Sequence, residues 1–210
     1  MEQQTIPYFS QWESRNLTST VLAEGAEAAL ARDPLWASSG ASSVEEYARW
    51  AGHLCGMACL KMILCALTGD AFQTLELARA CTDYSGYVFN PDDGSIRGLI
   101  YAPFVRFIGE RFGLEARVVT GIAAEDVPAI MRQSKFFMAS VHHAIRWPDR
   151  EPPAKGGHLV LVTAATADGI VFHNPSGHTP ASQENVAMPV QVFARFFAGR
   201  GVALVPREGA

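Results

Sequence analysis

The chain has 210 residues, 49% of them hydrophobic and 18% charged, with a formal net charge of −4. That is enough apolar material to fill the core of one domain, 1–210. An acidic balance without a basic run or stripe argues against nucleic acid and anionic membrane as main partners. The longest apolar run, Met57 to Leu67, contains Lys61 and is too short to span a bilayer, so no membrane partner is expected.

The opening "MEQQTIPYFSQWE" has neither a basic n-region nor an apolar h-region, and the expected location is the cytoplasm. "TIPYFSQW" (5–12) reads as an extended entry segment, because proline biases its predecessor toward extended backbone. "TSTVLAEGAEAALARDP" predicts one helix from about Ser19 to Arg32, stopped by Pro34. "ASSGASS" is a loop, and Ser43 is placed to cap a short helix, "VEEYARWAG". Residues 13–50 together read as a helical elaboration inserted ahead of the next element. A long apolar helix runs from about Leu54 to Thr68 and ends at Gly69. "AFQTLELARAC" (71–81) predicts another.

Residues 82–98, "TDYSGYVFNPDDGSIRG", read as a long turn-rich loop, and long ordered loops are often functional. A helix follows, with apolar residues at Leu99, Phe104, Phe107, Ile108 and Phe112, ended by Gly113. The pattern then changes to short β-branched and aromatic runs: "EARVVTG", "FFMASVHHA", "HLVLVTAAT", "GIVFHNP" and "VALVP". "ATADGI" reads as a hairpin turn, and "AEDVPAIMRQ" and "VQVFARFFAG" as short helices between strands. Helices first and antiparallel strands later give an α+β class, with N-terminal helices packed against an antiparallel sheet.

The cysteines are Cys55, Cys59, Cys65 and Cys81, three of them within one predicted helix, and free thiols are expected in a chain with its own core. Cys55 falls in the first turn of that helix, where free N–H groups and the macrodipole favour a thiolate. Packing is the competing explanation, since free cysteine is among the most buried residue types. His158 opens a strand directly after Gly156 and Gly157, a position suited to a cleft wall. Asn174 lies beyond the next strand, and a turn there brings its amide back toward His158. An amide so placed fixes the tautomer of an imidazole. "NPSG" is also an ordinary turn sequence. His53 with Cys55 and Cys59 lacks a second ligand pair downstream, so neither a metal nor a cofactor is expected. Asp92 and Asp93 read as a turn rather than a calcium loop, and Glu110–Arg111 and Asp149–Arg150–Glu151 as solvated surface.

The ordered set "CGMACLKMIL" (55–64), "IRGLIYAPFVRFIGERFGLEARVV" (96–119), "SKFFMASV" (134–141), "GGHLVLVTAATADGIVFHNPSG" (156–177) and "VFARFFAGRGVALV" (192–205) resembles the C39-like cysteine peptidases. These belong to the papain-like superfamily and are related to the double-glycine leader peptidases. The resemblance implies a papain-like fold, Cys55 as nucleophile, His158 as general base and acid, and Asn174 as the residue that orients it. In much of that family a glutamine about six residues before the cysteine donates to the oxyanion; here that position is Arg49. "TIPYFSQW" is similar to the family's entry segment, so Gln11 is the expected oxyanion donor.

The implied function is a soluble cysteine peptidase or amidase acting on a peptide or amide through a thioester. Two alternatives stand beside it: an acyltransferase or cyclase that passes the thioester to an amine, and a silent peptide-binding module. Gly56, Gly157, Trp147 and Tyr87, with Phe89, are the expected substrate-binding positions. Oligomeric state is not legible in the sequence.

Overall fold

The computed structural model describes residues 5–205. Its nucleus is helix α4 (Cys55–Thr68), which lies against a six-stranded sheet. The sheet is formed by β3 (Glu115–Thr120), β4 (Phe136–Val141), β5 (His158–Ala165), β6 (Gly169–His173), β7 (Val186–Pro189) and β8 (Phe197–Val205). The order across it is β3-β8-β4-β5-β6-β7, and each adjacent pair is antiparallel. The expected α+β class with an antiparallel sheet is therefore the observed one.

Both faces of the sheet are buried, and side-chain alternation divides them. Met138, Leu159, Leu161, Val202 and Leu204 pack with α4 and with α5 (Thr74–Thr82) and α6 (Tyr101–Phe112). Phe137, Ala139, Val160, Val162 and Ala203 meet α7 (Val127–Gln133) and α9 (Val190–Phe196) on the other side. Period-two alternation is what a strand requires to feed two cores. It explains why these strands read as nearly continuous apolar runs. Lys61, the one charge inside the α4 run, is buried but paired: its Nζ lies 3.4 Å from Glu13 Oε2 and 3.2 Å from Thr74 Oγ1.

The predicted single helix over 19–32 is two. Helix α1 (Thr18–Glu24) stops at Gly25, whose φ of +89° is outside the helical region, and α2 (Ala26–Leu30) restarts beyond it. With α3 (Val44–Ala51) they enclose a small core of Trp12, Leu30, Tyr47, Ala48 and Ala51. Ser43 caps α3 by accepting from the Glu46 N–H, as expected. The loop 82–98 holds a short hairpin, β1 (Val88–Phe89) with β2 (Ile96–Arg97). A one-turn helix, α8 (Pro180–Gln183), and strand β7 lie in a stretch to which the sequence assigned no element. The last strand starts directly at the end of α9 and is longer than "VALVP" suggested. Pro206 of that run lies outside the described residues. No single helix among the described residues is long and apolar enough to cross a membrane.

Candidate active site

Three elements bring Cys55, His158 and the turn after β6 to one end of the sheet. Cys55 is the first residue of α4, half-buried, at a bend where α3 and α4 differ in direction by 95°. The backbone N–H groups of Leu159 on β5, and of Gly56 and Cys55 at the helix N-terminus, act to favour its thiolate. Gly56 is buried. A methyl built on it would lie 2.6 Å from Leu99 Cδ2, so glycine lets the 98–100 segment close over the start of α4.

His158 begins β5, opposite Val141 of β4. In the β5–β6 pairing Leu161 faces His173, so Asn174 comes one residue after the ladder ends. A turn closed by the Gly177 N–H donating to the Asn174 carbonyl then swings the amide inward. His158 Nε2 lies 2.9 Å from Asn174 Oδ1, with both side chains buried. With Asn174 as acceptor, Nε2 carries the proton and Nδ1 is left as the basic nitrogen.

Cys55 and His158 line one cavity of about 400 Å³, together with Gly52, His53, Arg97–Tyr101, Ser140, Gly157, Leu159 and Arg200. That volume is within the range of small-molecule and peptide-subsite clefts. Burial lowers the His158 imidazole to about 3. The Asn174 bond opposes this, while the positive charge of Arg146, His143 and His142 adds to it. Burial also raises the Cys55 thiol above its ordinary value, and the nearby backbone N–H groups of Leu159, Gly56 and Cys55 oppose that rise. Burial thus works against the charged form of both groups, and the backbone N–H groups at the start of α4 work for the thiolate.

Behind the imidazole lies a layer that the sequence reading did not find. Ser176 Oγ is 3.1 Å from His158 Nε2, and its N–H donates to Asn174 Oδ1 at 3.1 Å. Arg146 Nη2 donates to Ser176 Oγ at 2.6 Å, and its Nε to the His143 carbonyl at 3.0 Å. Arg146 is 7% exposed and has no carboxylate partner among the described residues. Burial brings its guanidinium down to about 10, so it stays charged at neutral pH. A fixed cation here favours the neutral form of His158.

The other expected site residues fall in different places. Gly157 lines the cavity, with φ at +91°. Tyr87 does not: it is buried, packs edge-on against Trp50, and donates to the His53 carbonyl at 3.2 Å, bracing the turn before Cys55. Trp147 is half-buried against His178, Arg146 and Arg150, and is not part of the cavity wall. Phe89 lies on β1, also away from that wall. Gln11 sits between the two halves of the site. Its N–H donates to the Pro175 carbonyl, and its Nε2 donates to the carbonyls of Ala51 at 3.1 Å and Gly52 at 3.4 Å. Both amide hydrogens are engaged there, so Gln11 ties the Asn174 turn to the start of α4. All four cysteines are unpaired. No group of three or more His, Cys, Asp or Glu among the described residues could hold a metal ion.

No family model and no curated protein matches the chain. Among solved structures, it is similar to the peptidase domain of Streptococcus ComA, a bi-functional ABC transporter involved in a quorum-sensing pathway. That match has 16% identity and a TM-score of 0.49, over 74% of this chain and 93% of that one. It is also similar to a structure from Bacillus anthracis described as a C39-like peptidase, at 15% identity and a TM-score of 0.48, over 74% of this chain and 90% of that one. Both are likenesses of chain path at low identity.

Proposed function

We propose that the chain is a cysteine acyl-transfer enzyme of the peptidase or amidase type. The observation that carries this reading is the 2.9 Å bond between Asn174 and His158, which lines the same cavity as Cys55. Asn174 holds the proton on Nε2, leaving Nδ1 to take the thiol proton as sulfur attacks. The S–C bond forms and the carbonyl oxygen becomes an oxyanion. The Cys55 and Gly56 N–H groups, in the first turn of α4, are placed at the helix N-terminus to donate to it. The C–N bond then breaks, and His158 returns its proton to the leaving amine. A thioester remains on Cys55 until water, or another amine, attacks it.

Incubation with 4-nitrophenyl acetate, followed by intact mass and peptide mapping, tests this. The expected result is one acetyl group, confined to Cys55 and removed by neutral hydroxylamine. Adding glycine methyl ester reports the acceptor: free acetate means water, and the acetylated ester means transfer. Acetyl spread over the four cysteines in proportion to their exposure contradicts the reading.

A further inference from the structure

We propose that the cleft takes an acyl donor bearing a carboxylate, and that Arg200 and Arg97 receive it beside Cys55. This rests on the acyl-transfer reading above and adds the substrate's chemical class.

The cavity wall includes two exposed arginines, Arg97 from β2 and Arg200 from β8, and no aspartate or glutamate. Neither guanidinium has a carboxylate within ion-pair distance among the described residues. Among the described residues Arg15, Arg32, Arg79 and Arg195 are ion-paired, whereas Arg49, Arg106, Arg111, Arg117, Arg132 and Arg150 are not; what sets Arg97 and Arg200 apart is that they share one cavity wall with Cys55.

Neutral donors surround Arg200. The Tyr101 hydroxyl stands near both the Arg200 guanidinium and the Ser140 hydroxyl, and burial keeps that phenol protonated. A methyl built on Gly156 would lie 3.1 Å from Ala198 Cβ, 3.3 Å from Arg200 Nη2 and 3.3 Å from Ser140 Oγ. Gly156, at φ +86°, therefore leaves this corner open. A guanidinium beside two hydroxyls is a donor set for a carboxylate, which takes arginine in bidentate geometry. An acid-free wall also concentrates anions at the nucleophile.

Two alkylating agents of nearly the same size read this directly. Iodoacetate and iodoacetamide both form an S–C bond at Cys55 and expel iodide, and they differ in charge. At neutral pH and low salt, the iodoacetate-to-iodoacetamide rate ratio at Cys55 is expected to exceed that of free cysteine by about threefold or more. It falls to the free-cysteine value in the Arg97→Gln/Arg200→Gln double variant, is retained in Arg200→Lys, and declines with added salt. A wild-type ratio at or below that of free cysteine, or one unchanged in the double variant, overturns the proposal. The acyl-transfer reading fails separately, if iodoacetamide labelling of Cys55 is indifferent to His158→Ala.

Blocked tetrapeptides competing with iodoacetamide separate the two sources of a carboxylate. Protection by a glutamate peptide with an amidated end assigns a side chain. Protection by an uncharged sequence with a free C-terminus assigns the chain end. Protection by neither beyond that of the uncharged, amidated peptide contradicts the proposal.

Discussion

The His158→Ala variant is expected to acylate Cys55 on the order of 10²–10⁴ more slowly than wild type at neutral pH, the usual contribution of a positioned base. Its rate should also follow a different pH law. In the wild type, burial holds the imidazole neutral down to about pH 3 and raises the thiol above its ordinary range. The reactive pair, thiol plus neutral imidazole, is then the dominant species from about pH 4 to 8, and the rate is nearly flat there. Without the base, only the thiolate reacts, and the rate climbs about tenfold per pH unit. A stopped-flow profile of nitrophenol release on both proteins checks this. The same burial makes a stability statement. The folded-state imidazole is lower than its unfolded value of about 6.5. Its contribution is therefore complete above that pH and is lost as pH falls from there toward about 3.

Replacing Asp33 with alanine is expected to cost on the order of 4 kcal/mol, read as a lowered urea midpoint. Asp33 is 1% exposed. Its carboxylate accepts from the Ser14 N–H at 3.1 Å, the Ser14 hydroxyl at 2.6 Å, the Leu35 N–H at 2.9 Å and the Tyr47 hydroxyl at 2.5 Å. Burial and the neighbouring carboxylate push the Tyr47 phenol up, so it remains a donor across the working range. Alanine would leave these donors buried around a void, and each unsatisfied donor costs about 1–3 kcal/mol. The Asp33→Asn variant, which keeps one acceptor oxygen, should cost less. The damage should reach the site, because Asp33 joins residues 14, 35 and 47. Of these Tyr47 belongs to the core that includes Ala51, whose carbonyl holds Gln11 beside the Asn174 turn.

What the sequence made legible follows from which interactions are local. The α4 helix, its Gly69 stop and the β5–β6 hairpin are short-range patterns, and they stand where expected. The approach of Asn174 to His158 was legible as well, since sixteen residues of hairpin and turn fix it. The break at Gly25 was not anticipated because alanine and leucine on both sides carry a strong helical signal. Tyr87 illustrates a different limit. An aromatic in a turn-rich loop reads as a subsite, and only the long-range packing of Trp50 and the His53 carbonyl shows it to be a buried brace. The Arg146–Ser176 bond spans thirty residues, and Arg97 and Arg200, about a hundred residues apart in the chain, line one cavity. A buried cation without an acid leaves no spacing signature, so none of these was visible until the chain closed.

The most direct test of the central claim is the rate at which iodoacetamide labels each cysteine at neutral pH, resolved by peptide mapping, in wild type and His158→Ala. Cys65 is the internal control: half-buried like Cys55, on the same helix, and without a histidine beside it in the cavity. The account predicts that Cys55 reacts first and loses its lead over Cys65 when His158 is removed. If Cys65 reacts as fast as Cys55 in the wild type, or if Cys55 keeps its rate without His158, then Cys55 is a packing residue and the acyl-transfer account is wrong.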